Sequence, residues 1–271
     1  MKPDITLYGR SDTYDGGCWT AEEVTIPNPL CFTAEQAGST VAMQAGGTGA
    51  PSISLLTSTD GVNWSPFVVG ETTITLANVG DKVYFAAGSG GNRGTSSANY
   101  SAETSNMFVL SGLVAASGDI SSLLSGVDTI PDLAGRDDYC LSRLFAGCTA
   151  LTSAPALPAV RLAKGCYYRM FTGCTSLTRA PALPATTLAN SCYSCMFNGC
   201  TSLVSISTHQ TSFANDISAC YQWTSSVAAS GTFVCPAELG TNETIERSQV
   251  GNACPEGWTV INFETPTGTT P

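Results

Sequence analysis

The sequence predicts a mainly β protein: an N-terminal antiparallel β-sandwich, then a short solenoid of 26-residue repeats, then a β cap. Three observations predict it. A nine-residue phrase recurs three times at a fixed interval of 26 residues. Upstream of it, short alternating or apolar runs are punctuated by glycine-rich turns. The composition is 43% hydrophobic but only 12% charged, which suits a β-rich extracellular or particle-bound protein better than a cytosolic enzyme.

The repeats are Cys140-Leu-Ser-Arg-Leu-Phe-Ala-Gly-Cys148, Cys166-Tyr-Tyr-Arg-Met-Phe-Thr-Gly-Cys174 and Cys192-Tyr-Ser-Cys-Met-Phe-Asn-Gly-Cys200. The connecting halves, Thr149 to Pro158 and Thr175 to Pro184, differ at two positions, and a third begins at Thr201. Such a unit cannot bury its own apolar face, so a fixed period of this length predicts stacked coils. Leu151, Leu177 and Leu203 should each start a short strand. Met170-Phe171 and Met196-Phe197 should lie in a short helical or 3₁₀ turn ended by Gly173 and Gly199, and all of these apolar residues should be core. A degenerate copy precedes Cys140, and Cys220-Tyr-Gln-Trp223 is expected to open a further one. The pentapeptide Val-Ala-Ala-Ser-Gly, at 114–118 and again at 227–231, brackets the repeats.

Of the twelve cysteines, Cys140, Cys166 and Cys192 share one repeat position and Cys148, Cys174 and Cys200 another. Equivalent positions in stacked coils lie about 4.8 Å apart, so two columns of buried thiols are expected, since a thiol packs as a small hydrophobe. Cys192 and Cys195 form a lone C-x-x-C without a second pair at zinc-finger spacing, so no metal site is expected there. Cys235 with Cys254, and then Cys18 with Cys31, are the disulfide candidates.

In chain order, residues 1–30 form an arm that carries Tyr8, Tyr14 and Trp19 and ends in two prolines, Pro27 and Pro29. Residues 31–113 form an immunoglobulin-like sandwich, with strands expected at 39–44, 52–57, 72–76, 82–86 and 106–110. Within it, Ser58-Thr-Asp-Gly-Val-Asn-Trp64 is similar to the Ser-x-Asp-x-Gly-x-x-Trp hairpin of sialidases, one residue short, and is read as a turn device with Trp64 as a core plug. The Gly-rich stretch from Gly88 to Ser101 lacks a phosphate-loop ending and is read as a flexible hairpin tip. Residues 114–226 form the solenoid, 227–263 the cap and 264–271 a flexible tail.

The repeat phrase, with the closing runs Val227-Ala-Ala-Ser-Gly-Thr-Phe233 and Pro255-Glu-Gly-Trp-Thr-Val-Ile261, resembles the BspA-like leucine-rich repeats of gut Bacteroidetes and of their bacteriophages. The resemblance covers about residues 113 to 263 and implies a leucine-rich-repeat solenoid with a surface or virion role in adhesion. It implies no catalytic residues.

Catalysis finds little support. His209 is the only histidine, and the adjacent pairs Asp137-Asp138 and Glu22-Glu23 point their side chains apart in an extended chain. A net charge of −10 argues against nucleic acid and anionic membrane as partners, and no run of 18 apolar residues suggests a transmembrane helix. The first residues carry neither an apolar signal core nor a cleavage site. The expected function is therefore a non-enzymatic bacteriophage virion protein, of capsid-decoration, head-fibre or tail-fibre type, assembled in the host cytoplasm and needing no cofactor. A bacterial cell-surface adhesin binding protein or glycan is the alternative. Tyr8, Tyr14 and Trp19 would anchor the chain to other virion proteins. Arg143, Arg169, Arg179 and Asn198, which vary between copies, would contact a host-surface protein or glycan, and a homo-oligomer would multiply those contacts.

Overall fold

The computed structural model describes residues 26–88, 92–99, 101–124, 132–212, 218–239 and 254–264. Tyr8, Tyr14, Trp19 and Cys18 lie outside the described residues, as does the tail beyond Glu264. The fold is mainly β, and no helix among the described residues reaches seven residues.

The N-terminal part contains β1 (Leu30–Ala34), β2 (Ser39–Gln44), β3 (Leu55–Ser58), β4 (Ser65–Phe67), β5 (Thr73–Leu76), β6 (Lys82–Ala87), β7 (Met107–Ser111) and β8 (Val114–Ser117). Alternation works as expected in β2, where Ser39, Val41 and Met43 are buried and the residues between them are not. One sheet has the order β5-β2-β7; the other runs β4-β3-β6-β1-β8-β9, with β9 (Leu151–Ser153) drawn from the first coil. Within the larger sheet β8 pairs antiparallel with β1 and parallel with β9. Both parts of the chain thus share a sheet, and their buried side chains form one cluster. Phe32, Phe85 and Phe108 meet edge to face at 4.9–5.7 Å in its N-terminal half.

Two expectations for this half need correction. Trp64 is half-buried and not part of the core cluster; the turn is held by Asp60, whose carboxylate accepts from the Val62 and Asn63 amides at 2.8 Å each. Those bonds, led by one from the Asn63 side chain, hold the Asp60 carboxyl well below the usual range. The stretch after Gly88 is not a flexible tip over its described residues. Asn92, Thr95 and Ser96 are buried, because this segment lies on the first coil, with the Thr95 amide on the Cys140 carbonyl and the Phe108 amide on that of Leu144.

The coils are joined by a backbone ladder. The amides of Tyr139, Leu141, Arg143, Phe145 and Gly147 donate to the carbonyls of Lys164, Cys166, Tyr168, Met170 and Thr172 at 2.8–3.1 Å. The next coil repeats this from Gly165, Tyr167, Arg169, Phe171 and Gly173 to Asn190, Cys192, Ser194, Met196 and Asn198. A third set runs from Tyr193, Cys195, Phe197 and Gly199 to Ala219, Tyr221, Trp223 and Ser225. This register puts Ala219, not Cys220, opposite Cys192, so the last coil is 27 residues on and the expected phrase beginning at Cys220 is one residue out.

Identical spacing puts identical rings above one another. Phe108, Phe145, Phe171 and Phe197 stack at 5.5, 5.3 and 5.7 Å with planes within 13° of parallel. Tyr167 stacks on Tyr193 at 6.2 Å, and Trp223 closes both columns. Each such pair contributes about 0.5–1.5 kcal/mol beyond the area it buries. Leu151, Leu177, Leu203, Met170 and Met196 are fully buried, as expected of core.

The phrase itself is not a helix. Arg143, Arg169 and Cys195 have φ of 60, 55 and 53°, and Gly147, Gly173 and Gly199 have φ of 75–78° four residues later. A left-handed residue in every four ends each turn before a second helical hydrogen bond can form, so the chain runs as successive turns such as Arg143 carbonyl to Ala146 amide.

Beyond the repeats, β10 (Ser205–Ser207), β11 (Thr232–Pro236) and β12 (Thr259–Phe263) continue as a parallel sheet. The two Val-Ala-Ala-Ser-Gly copies differ in structure. Residues 114–117 are strand β8, whereas 227–231 bend around Trp258, whose Nε1 donates to the Ala228 carbonyl at 2.8 Å.

The glycines at turn positions separate two constraints. A Cβ on Gly173 would meet nothing closer than 3.8 Å, so Gly173→Ala should cost only the left-handed backbone penalty of about 1–2 kcal/mol. A Cβ on Gly165 would stand 2.1 Å from the Tyr139 ring, so Gly165→Ala should destabilise by clearly more. Urea unfolding of the two variants checks the order, and equal losses would contradict the packing described.

Candidate functional site: a basic face on the coil stack

The most chemically reactive residue type in the repeats is also the most completely withdrawn. Cys140, Cys148, Cys166, Cys174, Cys192 and Cys200 are all 0–2% exposed. In one column the Cys148, Cys174 and Cys200 thiols donate to the carbonyls of Phe108, Phe145 and Phe171 at 3.0–3.1 Å, adding a side-chain link to each step of the ladder. Burial pushes Cys140, Cys148 and Cys200 up to about 12, and it raises Cys166 and Cys174 well above 9, helped by neighbouring thiols of the same column. A thiol held protonated is a poor nucleophile and a poor metal ligand, so the columns pack rather than react.

The disulfide candidates do not pair. Cys235 and Cys254 are both thiols, Cys235 Sγ contacting Asn262 Oδ1 at 3.4 Å and Cys254 Sγ the Pro255 carbonyl at 3.6 Å. Cys31 is a thiol as well. Among the described residues no cluster of three or more His, Cys, Asp or Glu is arranged to hold a metal, and no helix is long and apolar enough to cross a membrane.

The remaining candidates divide between two sides of the coil. Arg143 and Arg169 occupy the same turn position in adjacent coils; their amides bond successive carbonyls, which sets their backbones about one strand spacing, or about 4.8 Å, apart. Asn198 is half-buried three residues beyond Cys195, the third member of that column. Arg179 is exposed on the strand-bearing side, bridged to Ser205, and is not part of the same group. His209 is exposed, 5.1 Å from the Phe263 ring, and makes no ion pair with a carboxylate of the described residues. Asp137 and Asp138 are tied to Arg93 and Lys164, each at 3.7 Å. Glu22 and Glu23 lie outside the described residues.

Arg143 and Arg169 are unusual cations. Each has a buried Nε with no hydrogen-bond partner, and neither joins the three ion pairs found among the described residues. Burial first, and the neighbouring Arg169 second, lower the Arg143 guanidinium below its ordinary range. Arg169 lies over the Tyr168 ring at 5.4 Å, Tyr168 meets Tyr139 edge to face at 5.8 Å, and Lys164 lies over Tyr139 at 5.8 Å.

Charge is segregated along the chain. Between Tyr139 and Ser212 there are five Lys or Arg and no Asp or Glu, so this stretch is +5 while the rest of the chain is −15. Five of the eleven basic residues thus fall in one acid-free run, a signal that the whole-chain charge conceals, although Arg161 and Lys164 reach out of it to Asp132 and Asp138. Tyr139, Tyr168 and Lys164 join the site only through stacking, since nothing in their local sequence marks them.

No family model matches this chain, and no curated protein or solved structure is found to be similar to it.

The thiol columns dictate a pH response. A group whose folded pKa is raised stabilises fully below its unfolded value near 9 and loses that contribution as pH climbs toward the folded value. Stability should therefore fall between about pH 9 and pH 12, as followed by urea midpoints across that range. A flat profile would contradict the buried, protonated columns.

Proposed function

We propose that this chain is a non-enzymatic display protein: an antiparallel β-sandwich carrying a short leucine-rich-repeat solenoid of the BspA-like kind, which presents a ligand-contacting face. On this reading it is a structural protein of a bacteriophage virion, of decoration or fibre type, and its N-terminal arm with Tyr8, Tyr14 and Trp19 binds other virion proteins. The solenoid then meets a host-surface or mucosal protein or glycan. Nucleic acid and membrane are not its partners.

The single observation that carries this reading is the division of labour across the coil stack. The repeated residues are consumed in packing, as buried thiols and stacked rings, while the turn position carries Arg143 and Arg169 on adjacent coils, half-buried cations outside the ion pairs of the described residues, in an otherwise acidic chain. A scaffold of this kind is suited to holding a surface rather than to turning over a substrate. The reduced cysteines favour a virion over a secreted adhesin, because particles assemble in a reducing cytoplasm whereas an exported chain with this many thiols meets oxidising conditions.

Immunogold electron microscopy with antibodies against this protein tests the location. Gold on phage particles is the expected result. Gold on the bacterial envelope, with particles unlabelled, would favour the adhesin reading and overturn the virion assignment.

A further inference from the structure

We infer that Arg143 and Arg169, with Tyr168 beside them, form a binding site for an oxyanion carried on a sugar, such as a sulfate ester or a carboxylate. The inference rests on the display reading and names the ligand chemistry of its basic face.

Two guanidinium groups stacked on adjacent coils repel each other, and no acidic side chain is available among the residues from Tyr139 to Ser212 to offset that. Each side chain is half-buried, and each Nε is enclosed without a hydrogen-bond partner. The enclosed Nε atoms lie out of an anion's reach, so the donors open to one are the guanidinium ends, and an anion bridging the two ends offsets their repulsion. Guanidinium groups bind tetrahedral and carboxylate oxyanions through paired N–H donors, and a column spacing of about 4.8 Å lets two of them share one such group.

The surroundings select the carrier. Tyr168 is half-buried, with Arg169 over its ring at 5.4 Å and the Tyr139 ring perpendicular to it at 5.8 Å, so its exposed part sets an apolar aromatic rim next to the cations, against which a sugar ring can pack. An extended polyanion such as a nucleic acid is disfavoured by the −15 carried by the rest of the chain.

The left-handed backbone at both positions supplies variants that keep the fold. Asn tolerates φ near 55–60° better than Arg, so the double variant Arg143→Asn/Arg169→Asn removes both charges without adding strain; the Arg143→Lys/Arg169→Lys pair keeps charge but loses the forks; Lys82→Asn, on β6, controls for net charge. Calorimetric titration of the full chain at low ionic strength would use a chondroitin sulfate tetrasaccharide, the unsulfated chondroitin tetrasaccharide, sialyllactose, inorganic sulfate and a short single-stranded oligonucleotide, with thermal unfolding of each variant recorded alongside.

Saturable binding of the tetrasaccharide or of sialyllactose by the wild type is expected, weakened at least ten-fold in the Asn pair and less in the Lys pair, and unchanged in Lys82→Asn. Tetrasaccharide binding that is lost with the unsulfated chondroitin tetrasaccharide assigns a sulfate ester; binding kept by the unsulfated tetrasaccharide, or sialyllactose alone, assigns a carboxylate. Unchanged affinity in a folded Asn pair, or no saccharide binding by the wild type, overturns the site. Inorganic sulfate or the oligonucleotide bound as tightly as either saccharide overturns the sugar assignment. The display reading is judged separately, by whether wild-type protein adheres to host cells: adhesion that survives in the Asn pair rejects this site and leaves display standing, and no adhesion by the wild type counts against display itself.

Discussion

The backbone ladder between coils is the constraint on which the rest of the structure depends. Every second amide from Tyr139 to Gly147 points along the stack to a carbonyl of the next coil, and the same pattern recurs from Gly165 and from Tyr193. Each bond contributes a net of only about 1 kcal/mol, but the set fixes register, and register decides what every side chain meets. A slip of one residue would set Phe145 against Met170 or Thr172 instead of Phe171 and would break both the ring column and the thiol column. The ladder also reaches backward, since Thr95 and Phe108 bond the Cys140 and Leu144 carbonyls, which is how the N-terminal sheets come to share a core with the coils.

Stacking at fixed register has a second effect, on charge. Whatever occupies the outward turn position is repeated about one strand spacing further along, so an arginine there faces another arginine rather than a chance neighbour. Arg161 and Lys164 of the same acid-free run reach carboxylates outside it, Asp132 and Asp138, whereas Arg143 and Arg169 remain half-buried and join none of the ion pairs among the described residues. The third coil places Cys195, and the fourth Gln222, at the same position, also with positive φ. The basic face is thus confined to two coils.

Much of the architecture was legible because repetition makes the physics redundant. Leu151, Leu177 and Leu203 could be assigned to the core from their period alone, and the cysteines could be read as columns before any coordinates. Strands β2, β3, β5, β6 and β7 were legible to within a few residues from alternating or apolar runs, whereas β1, β4 and β8 were not, since they are short and owe their strand form to the neighbours they pair with. What was not legible depended on backbone conformation or on distant partners. Arg143 and Arg169 are poor left-handed residues by propensity, so nothing local announced the turn structure that replaces the expected helical turn. The two identical Val-Ala-Ala-Ser-Gly segments fold differently because one lies between β1 and β9 and the other under Trp258. The spacing of the fourth coil failed for a similar reason: Cys220 looks like a repeat cysteine, but the ladder counts from Ala219. At the site, the two arginines were visible as variable positions, whereas Arg179 was grouped with them although the coil carries it to the other side.

If the ladder sets the register, one coil is interchangeable with the next. Deleting residues 166–191, one full period, would bring the amides of Leu141, Arg143, Phe145 and Gly147 onto the carbonyls of Cys192, Ser194, Met196 and Asn198, and Phe145 onto Phe197. Circular dichroism with urea unfolding of that protein tests the claim most directly. The account predicts a β-rich spectrum and a single cooperative transition at a lower midpoint; loss of the β signal or of cooperativity would contradict it.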